Sequence, residues 1–330
     1  YPRMKAVIEK ETGVLVAGYV PELDFWQVGS RHLGLVLPGE IKNLQEQMRQ
    51  LGDCLEKTLD VDALLKLGEK ADIDALGSVT VTADGSSQKC EAQKNADLVL
   101  QNQLSGEKIS HSAIRIRLGV AWDEAFCFYY RDNLEFLEKQ GVQIVRFSPV
   151  HDKHLPDDLD GLLLGGGYPE LYAKALGENE TIRNEIRRKA EEDMPILAEC
   201  GGYLYLLKEL KDENGTGYEM AGVFSGKGYK KGKNSHFGYI TVQTEKDSLY
   251  LKAGETIKGH EFHYWESTQD ENELKMQAKK PTGKRSWPCV TVKNQVMAGF
   301  PHLYYPSLEG FGERFVQACD RYRMKRKRQQ

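Results

Sequence analysis

The chain has 330 residues, 40% apolar and 28% charged, with a formal net charge of −4. That length and apolar content suffice for a sizeable core in two domains, and the interspersed charges exclude the single-sign field of a nucleic-acid binder. No run of about 18 apolar residues marks a membrane span, and the N-terminal YPRMKAVIEK lacks a secretory pattern, so the expectation is a cytoplasmic protein with neither nucleic acid nor membrane as partner.

In chain order, TGVLVAGYVPELD reads as a strand stopped by Pro21, followed by RHLGLVLPGE and a helix with Ile41, Leu44, Met48, Leu51 and Leu55 at helical spacing. One strand and one or two helices cannot cover both faces of a parallel sheet, so residues 1–70 are expected to be the tail of a larger α/β domain whose beginning is absent. Residues 71–113 turn polar and lose their period, which reads as a linker. From 114 to 330 strands and helices alternate: IRIRLGVAWD, the helix YYRDNLEFLEKQ ended by Gly141, VQIVRFSPV, DGLLLGGG, the helical ELYAKAL and TIRNEIRRKAEED, then PILAE running straight into Cys200. Such alternation predicts a parallel sheet with helices on both faces. Past Gly222 the pattern is more β-like, through FGYITVQT, GHEFHYWES and CVTVKNQVMAGF, and a last helix begins near Ser307 with Leu308, Phe311, Phe315 and Cys319 inward.

The six cysteines (54, 90, 127, 200, 289, 319) show neither CxxC nor close pairing, against a zinc or disulfide framework. Cys200 differs from the rest. It ends a strand and is followed by two glycines and a helix, which resembles a nucleophile elbow with Ala198 and Gly202 as the small neighbours. The helix N-terminus is expected to lower the thiol pKa, and Gly166, Gly167 and Gly201 are candidate backbone donors to an oxyanion, with the Gly165 loop at the end of another strand. A packed core cysteine and a redox-sensing thiol are the readings that compete with a nucleophile. Among eight histidines, His302 in VMAGFPHLYYPS sits best for a general base, late in the chain and just past a strand. His151 and His154 read as solvated. His260 and His263, three apart in an extended segment, point to opposite faces, so no metal site is expected there. Asp123, Glu124 and Tyr129, near the first strand's carboxyl end, are candidate substrate contacts by position. The closing RYRMKRKRQQ reads as a solvated basic tail on a helix C-terminus.

The ordered segments AWDEAFCFYYRDNLEFLE, FSPVHDKHLP, LLLGGGYPELY, PILAECGGYLYL, GHEFHYWES and FPHLYYPS resemble the C-terminal glutamine amidotransferase domain of the cobyrinate a,c-diamide synthase family, and RHLGLV resembles the end of that family's synthetase domain. The resemblance implies a flavodoxin-like class I amidotransferase domain preceded by part of a P-loop type synthetase domain. It further implies Cys200 as the nucleophile on glutamine through a glutamyl thioester, His302 as proton shuttle, and Gly166, Gly167 and Gly201 as oxyanion donors. The ammonia would serve ATP- and Mg²⁺-dependent amidation of the a and c carboxylates of cobyrinate in cobalamin biosynthesis. Two departures stand out. Position 304 is Tyr where triad amidotransferases place Glu, which leaves the third member unnamed. No G-x-x-x-x-G-K-[ST] loop exists, GYKKGKN being one residue short and ending in Asn, so the ATP-binding region is expected outside this chain. Hydrogenobyrinate or nickel-sirohydrochlorin as acceptor, and a catalytically silent assembly module, remain open alternatives.

Overall fold

The computed structural model describes residues 1–26, 41–70, 116–231, 236–269, 274–282 and 285–329. The chain divides into two compact units, Tyr1–Ile109 and Ser110–Gln330. The polar segment 71–113 and the stretch RHLGLVLPGE (31–40) lie outside the described residues.

In the first unit the described elements are helices α1 (Pro2–Thr12), α2 (Leu44–Thr58) and α3 (Val61–Lys70). Proline starts α1 where no N–H is needed, and Gly13, at φ 67°, closes it by donating to Glu9 O. The periodic apolar residues from Leu44 to Leu55 do form α2. The expected strand over 13–21 is corrected. Among the described residues it makes a single bridge, Gly18 to Leu59, flanked by Tyr19 N–H to Thr58 O and Asp60 N–H to Ala17 O. A strand needs an extended partner, and the short turn between α2 and α3 offers little more than Leu59.

The second unit carries strands β1 (Ile116–Ala121), β2 (Val142–Phe147), β3 (Gly161–Leu164), β4 (Ile196–Glu199), β5 (Glu209–Lys211), β6 (Gly217–Glu219), β7 (Lys227–Lys230), β8 (Phe237–Gln243), β9 (Thr256–Phe262), β10 (Trp265–Ser267), β11 (Leu274–Lys279), β12 (Ser286–Lys293), β13 (Val296–Gly299) and β14 (His302–Leu303). Its helices are α4 (Arg131–Lys139), α5 (Ala173–Glu178), α6 (Glu180–Glu191), α7 (Gly201–Leu206) and α8 (Glu309–Gln329). Ten strands form one sheet in the order β14-β9-β8-β11-β12-β13-β4-β3-β1-β2. The run β2-β1-β3-β4-β13 is parallel, as the alternating pattern predicts, and has flavodoxin-like order. The β-rich remainder extends that sheet antiparallel from β13 through β12. β5, β6, β7 and β10 form a separate small sheet.

The four-residue runs GLLL and ILAE are buried throughout because each strand faces a core on both sides. Leu162, Leu164, Ile196 and Ala198 point into one core with Ile182 and Ile186 of α6 and Leu204 of α7. Leu163 and Leu197 point into the other with Leu134 and Leu137 of α4 and Phe311 and Phe315 of α8. The basic C-terminus is helical and solvated in part, with Arg321, Lys325, Lys327 and Arg328 exposed. α8 continues through it, and Arg326 binds Asp158 and Asp160 while Arg323 is buried against Asp320. The Arg326 pairs fasten the last turns to the loop before β3.

Candidate active site

Three neighbouring parallel strands deliver the three parts expected from sequence. β3 ends in the Gly165–Gly167 loop, β4 in Cys200, and β13 leads three residues later to His302. All lie at carboxyl ends of strands, where open α/β sheets collect ligands. Main-chain bonds tie the ends together: Cys200 N–H donates to Gly299 O at 2.8 Å, and Gly202 N–H to Gly165 O at 2.9 Å.

Cys200 takes φ 48° and ψ −103°, a strained conformation for a residue with a side chain, as a nucleophile elbow requires. The glycines make the turn feasible. A Cβ at Gly202 would stand 2.1 Å from Leu164 O, and one at Gly201 3.0 Å from Gly167 N. The expected depression of the thiol pKa is corrected. Burial, with the nearby Glu170 carboxylate, pushes the Cys200 thiol well up, and the Gly201 N–H offsets only part of this. α7 has six residues and the sulfur lies in a desolvated pocket, so the burial penalty outweighs the helix end.

Two of the candidate oxyanion donors, Gly167 and Gly201, lie side by side. Gly167 takes φ 158°, and its backbone packs so tightly on Ala125 O that a Cβ would come within 2.0 Å. Gly166 is bridged to Phe128, its carbonyl accepting from both Cys127 and Phe128 N–H. Its Cα also backs the His302 ring, where a Cβ would meet Cε1 at 2.2 Å. His302 is 6% exposed, and burial, with His260 and His263 nearby, pushes its pKa down to about 3. The resting pair is therefore a neutral thiol and a neutral imidazole.

Several residues that fix His302 are not apparent from sequence. His260 is its cross-strand partner and stacks on it at 4.7 Å, with Tyr130 Oη 2.6 Å from His260 Nδ1. Buried Asn133 clamps the following backbone, donating to Leu303 O at 2.7 Å and accepting from Tyr305 N–H at 2.9 Å. Glu199, next to the nucleophile, accepts from Leu303 N–H and from the Tyr305 hydroxyl at 3.1 Å, and burial pushes its pKa up to about 8. Tyr304, at the position of the missing Glu, instead donates to Asp132 at 3.1 Å. The one sequence signal for this set was the proximity of acid and amide side chains to the strand ends, which carries no partner information.

The remaining expected residues divide. Asp123 is corrected from substrate contact to loop anchor: its oxygens accept from Ala125 and Phe126 N–H, Ser148 Oγ and Val150 N–H. Tyr129 likewise is spent internally, its hydroxyl donating to Ala121 O and accepting from Gly165 N–H while its ring stacks on Trp122. Glu124 is half-buried and lies 2.7 Å from exposed His151. His154 is exposed and pairs with Glu185. A cavity of about 870 Å³ bordered by Thr244, Asp247, Gln277 and Val292 shares no residue with the site. Size alone does not mark the chemistry. Among the described residues no helix is long and apolar enough to cross a membrane.

The near-match to a phosphate-binding loop does not have that loop's fold in its described part. In GYKKGKN the described residues Gly228–Lys230 belong to strand β7, paired on both sides, rather than to a strand-to-helix loop, and residues 232–235 lie outside the described residues.

Comparison with known proteins gives the same reading of the domain. A cobyrinate a,c-diamide synthase from Caldanaerobacter subterraneus is 34% identical over 98% of this chain and 65% of its own length. One from Picrophilus torridus is 34% identical over 96% of this chain and 63% of its own. The chain thus spans a little under two thirds of these relatives. The solved structure of PurLQS from Thermotoga maritima aligns with 63% of this chain and 99% of its own at 18% identity and TM-score 0.45. The model of the CobB/CobQ-like glutamine amidotransferase domain matches residues 117–308, more than half the chain, from β1 to the turn before α8. Cys200, His302 and the glycine loop all fall inside that span, and the chain belongs to the CobB/CobQ-like glutamine amidotransferase domain family.

Proposed function

We propose that this chain hydrolyses the side-chain amide of glutamine, releasing ammonia for the amidation of the a and c carboxylates of cobyrinate in cobalamin biosynthesis. The observation that carries the glutaminase reading is the delivery of the glycine loop, Cys200 and His302 by three adjacent parallel strands. Cys200 Sγ bonds to the amide carbon while its proton passes to His302. The tetrahedral oxyanion is met by backbone N–H groups drawn from Gly166, Gly167 and Gly201, and the Cα of Gly166 also places the imidazole. The C–N bond then breaks as His302 protonates the departing ammonia, and His302 next takes a proton from the water that opens the glutamyl thioester. Glutamate leaves and the thiol is restored. A neutral starting pair suits this sequence, because charge separates only as the substrate carbonyl becomes an oxyanion.

The acceptor assignment rests on the name of the relatives and on the ordered motifs they share with this chain. ATP with Mg²⁺ is the proposed source of carboxylate activation in the whole ligase. The reducing interior of the cell suits a buried catalytic thiol. Glutamate release from glutamine, measured for the chain, Cys200→Ala and His302→Ala, tests the first half: equal rates in all three would reject the nucleophile and leave a silent assembly module. Assay of the full-length ligase with cobyrinate, hydrogenobyrinate and nickel-sirohydrochlorin tests the second, and preference for either rival acceptor would replace cobyrinate.

A further inference from the structure

Sequence spacing directs attention to His260 and His263 as a metal pair and dismisses them, since residues three apart in a strand face opposite ways. The fold separates them as expected, His260 going to His302. It also assembles a different set. Glu261 lies in β9 and His263 just past its end, two residues on and facing the same way, while His236 immediately precedes β8, the neighbouring strand, where Phe237 pairs with Phe262. One ligand atom from each of His236, Glu261 and His263 lies within 4.8 Å of the others.

The geometry suits a transition ion. His263 Nε2 stands 3.5 Å from Glu261 Oε2, and His236 Nδ1 3.7 Å from the same oxygen. Two ligands held 2.0–2.1 Å from zinc at a tetrahedral angle stand about 3.3 Å apart. Small rotations of the side chains would close the difference.

Each buried ligand is already oriented. His263 Nδ1 is 2.6 Å from Trp265 O, and since a carbonyl only accepts, Nδ1 carries a proton, which leaves Nε2 as the ring atom available to a metal ion. That nitrogen is buried with no hydrogen-bond partner among the described residues, in a residue only 5% exposed, and it lies 3.5 Å from Glu261 Oε2. A buried polar atom without a partner is costly. Glu261, 1% exposed, is held by Trp287 Nε1, 3.0 Å and 3.2 Å from its two oxygens, and His236 stacks on the same indole at 4.3 Å. Outer partners of this kind, a backbone carbonyl behind one histidine and a donor behind the carboxylate, characterise metal sites. Two imidazoles and a carboxylate favour a divalent first-row ion over Mg²⁺ or Ca²⁺ and leave a fourth position open.

We propose that His236, Glu261 and His263 form a binding site for a divalent transition-metal ion of the zinc class. The site borders the thiol chemistry, Glu261 lying within electrostatic reach of Cys200 and His263 of His302, but uses neither Cys200 nor His302 as a ligand and does not depend on the glutaminase reading. Its consequence is structural: the ion would join β8 to the end of β9, the strand whose His260 stacks on His302.

The test uses the full chain, stripped with a chelator and titrated with Zn²⁺ against a competing chromophoric chelator, then with Co²⁺ for its visible spectrum. One tight equivalent is expected, with Co²⁺ bands typical of four-coordinate nitrogen and oxygen ligation. His263→Gln and Glu261→Gln should abolish it. Because those changes fall in the core, His236→Gln serves as the variant that keeps its fold by circular dichroism, and it should weaken Zn²⁺ at least tenfold. Zinc uptake unchanged in folded His236→Gln, uptake abolished by thiol alkylation alone, or no saturable equivalent would each overturn the proposal.

Discussion

The His302 imidazole lies against Gly166 so closely that a Cβ at position 166 would stand 2.2 Å from Cε1. Gly166 has no positive φ, so alanine is acceptable to the backbone there and the collision must be relieved by moving the ring. Gly166→Ala is therefore expected to lower kcat for glutamine hydrolysis by about 100-fold, the scale of an ångström-sized misplacement of a reacting group. Steady-state kinetics alongside a thermal melt would check this. Wild-type kcat in a folded variant would show that His302 has no role requiring that position.

Asn133 ties α4 to the segment after His302 through two bonds made by one side chain. Replacing it with alanine leaves Leu303 O and Tyr305 N–H buried and unpaired, each worth about 1–3 kcal/mol. Asn133→Ala should lose at least about 2 kcal/mol in urea unfolding, and its kcat should fall more than its KM rises, because the loss bears on the placement of His302.

Stability should depend on pH through Glu199 and His302 in opposite senses. Glu199 is raised from 4.5 to about 8, so the folded chain holds a proton that the unfolded chain gives up between those values. Its contribution is full below pH 4.5 and is lost as pH rises through about 8. His302 is lowered from 6.5 to about 3, so its contribution is full above pH 6.5 and is lost as pH falls through about 3. Glu199→Gln keeps an acceptor for Tyr305 and has no proton to lose. Urea midpoints measured from pH 5 to 9 should fall toward the alkaline end in the parent chain and fall less in Glu199→Gln; parallel profiles would remove Glu199 from the account.

Cys200 should be a poor nucleophile toward small alkylating reagents at rest, since burial keeps its thiol protonated. Peptide mapping after brief iodoacetamide treatment at pH 7.5 should find half-buried Cys54 and Cys127 labelled ahead of Cys200. Labelling of Cys200 first would mean that the thiolate exists before substrate binds.

Local signals carried much of the fold. Leu134 and Leu137 at helical spacing, Gly141 as a stop, and the unbroken apolar runs GLLL and ILAE each express a preference that the chain satisfies within a few residues, and each appears where expected. The apolar run before Pro21 fails for the complementary reason: a strand exists only with a partner, and apolar content says nothing about whether one is offered. The basic C-terminus is solvated as its composition suggests at Arg321, Lys325, Lys327 and Arg328, but not at Arg326, because Asp158 and Asp160, which capture it, lie more than 160 residues away in sequence.

By itself the sequence determined the doubly glycine-flanked cysteine at a strand end, the histidine a short step past another strand, and the alternation that makes those strands parallel. These are consequences of backbone sterics and hydrophobic period, both local. Only the tertiary structure decided the ionisation of Cys200, where desolvation by a whole core overrides one short helix end. It alone decided that Asp123 and Tyr129 are spent on loop bonds, that Asn133 and Glu199 hold the His302 segment, and that Glu261 meets His236 and His263. Each of these depends on which distant surfaces come together, and on how much water they exclude when they do.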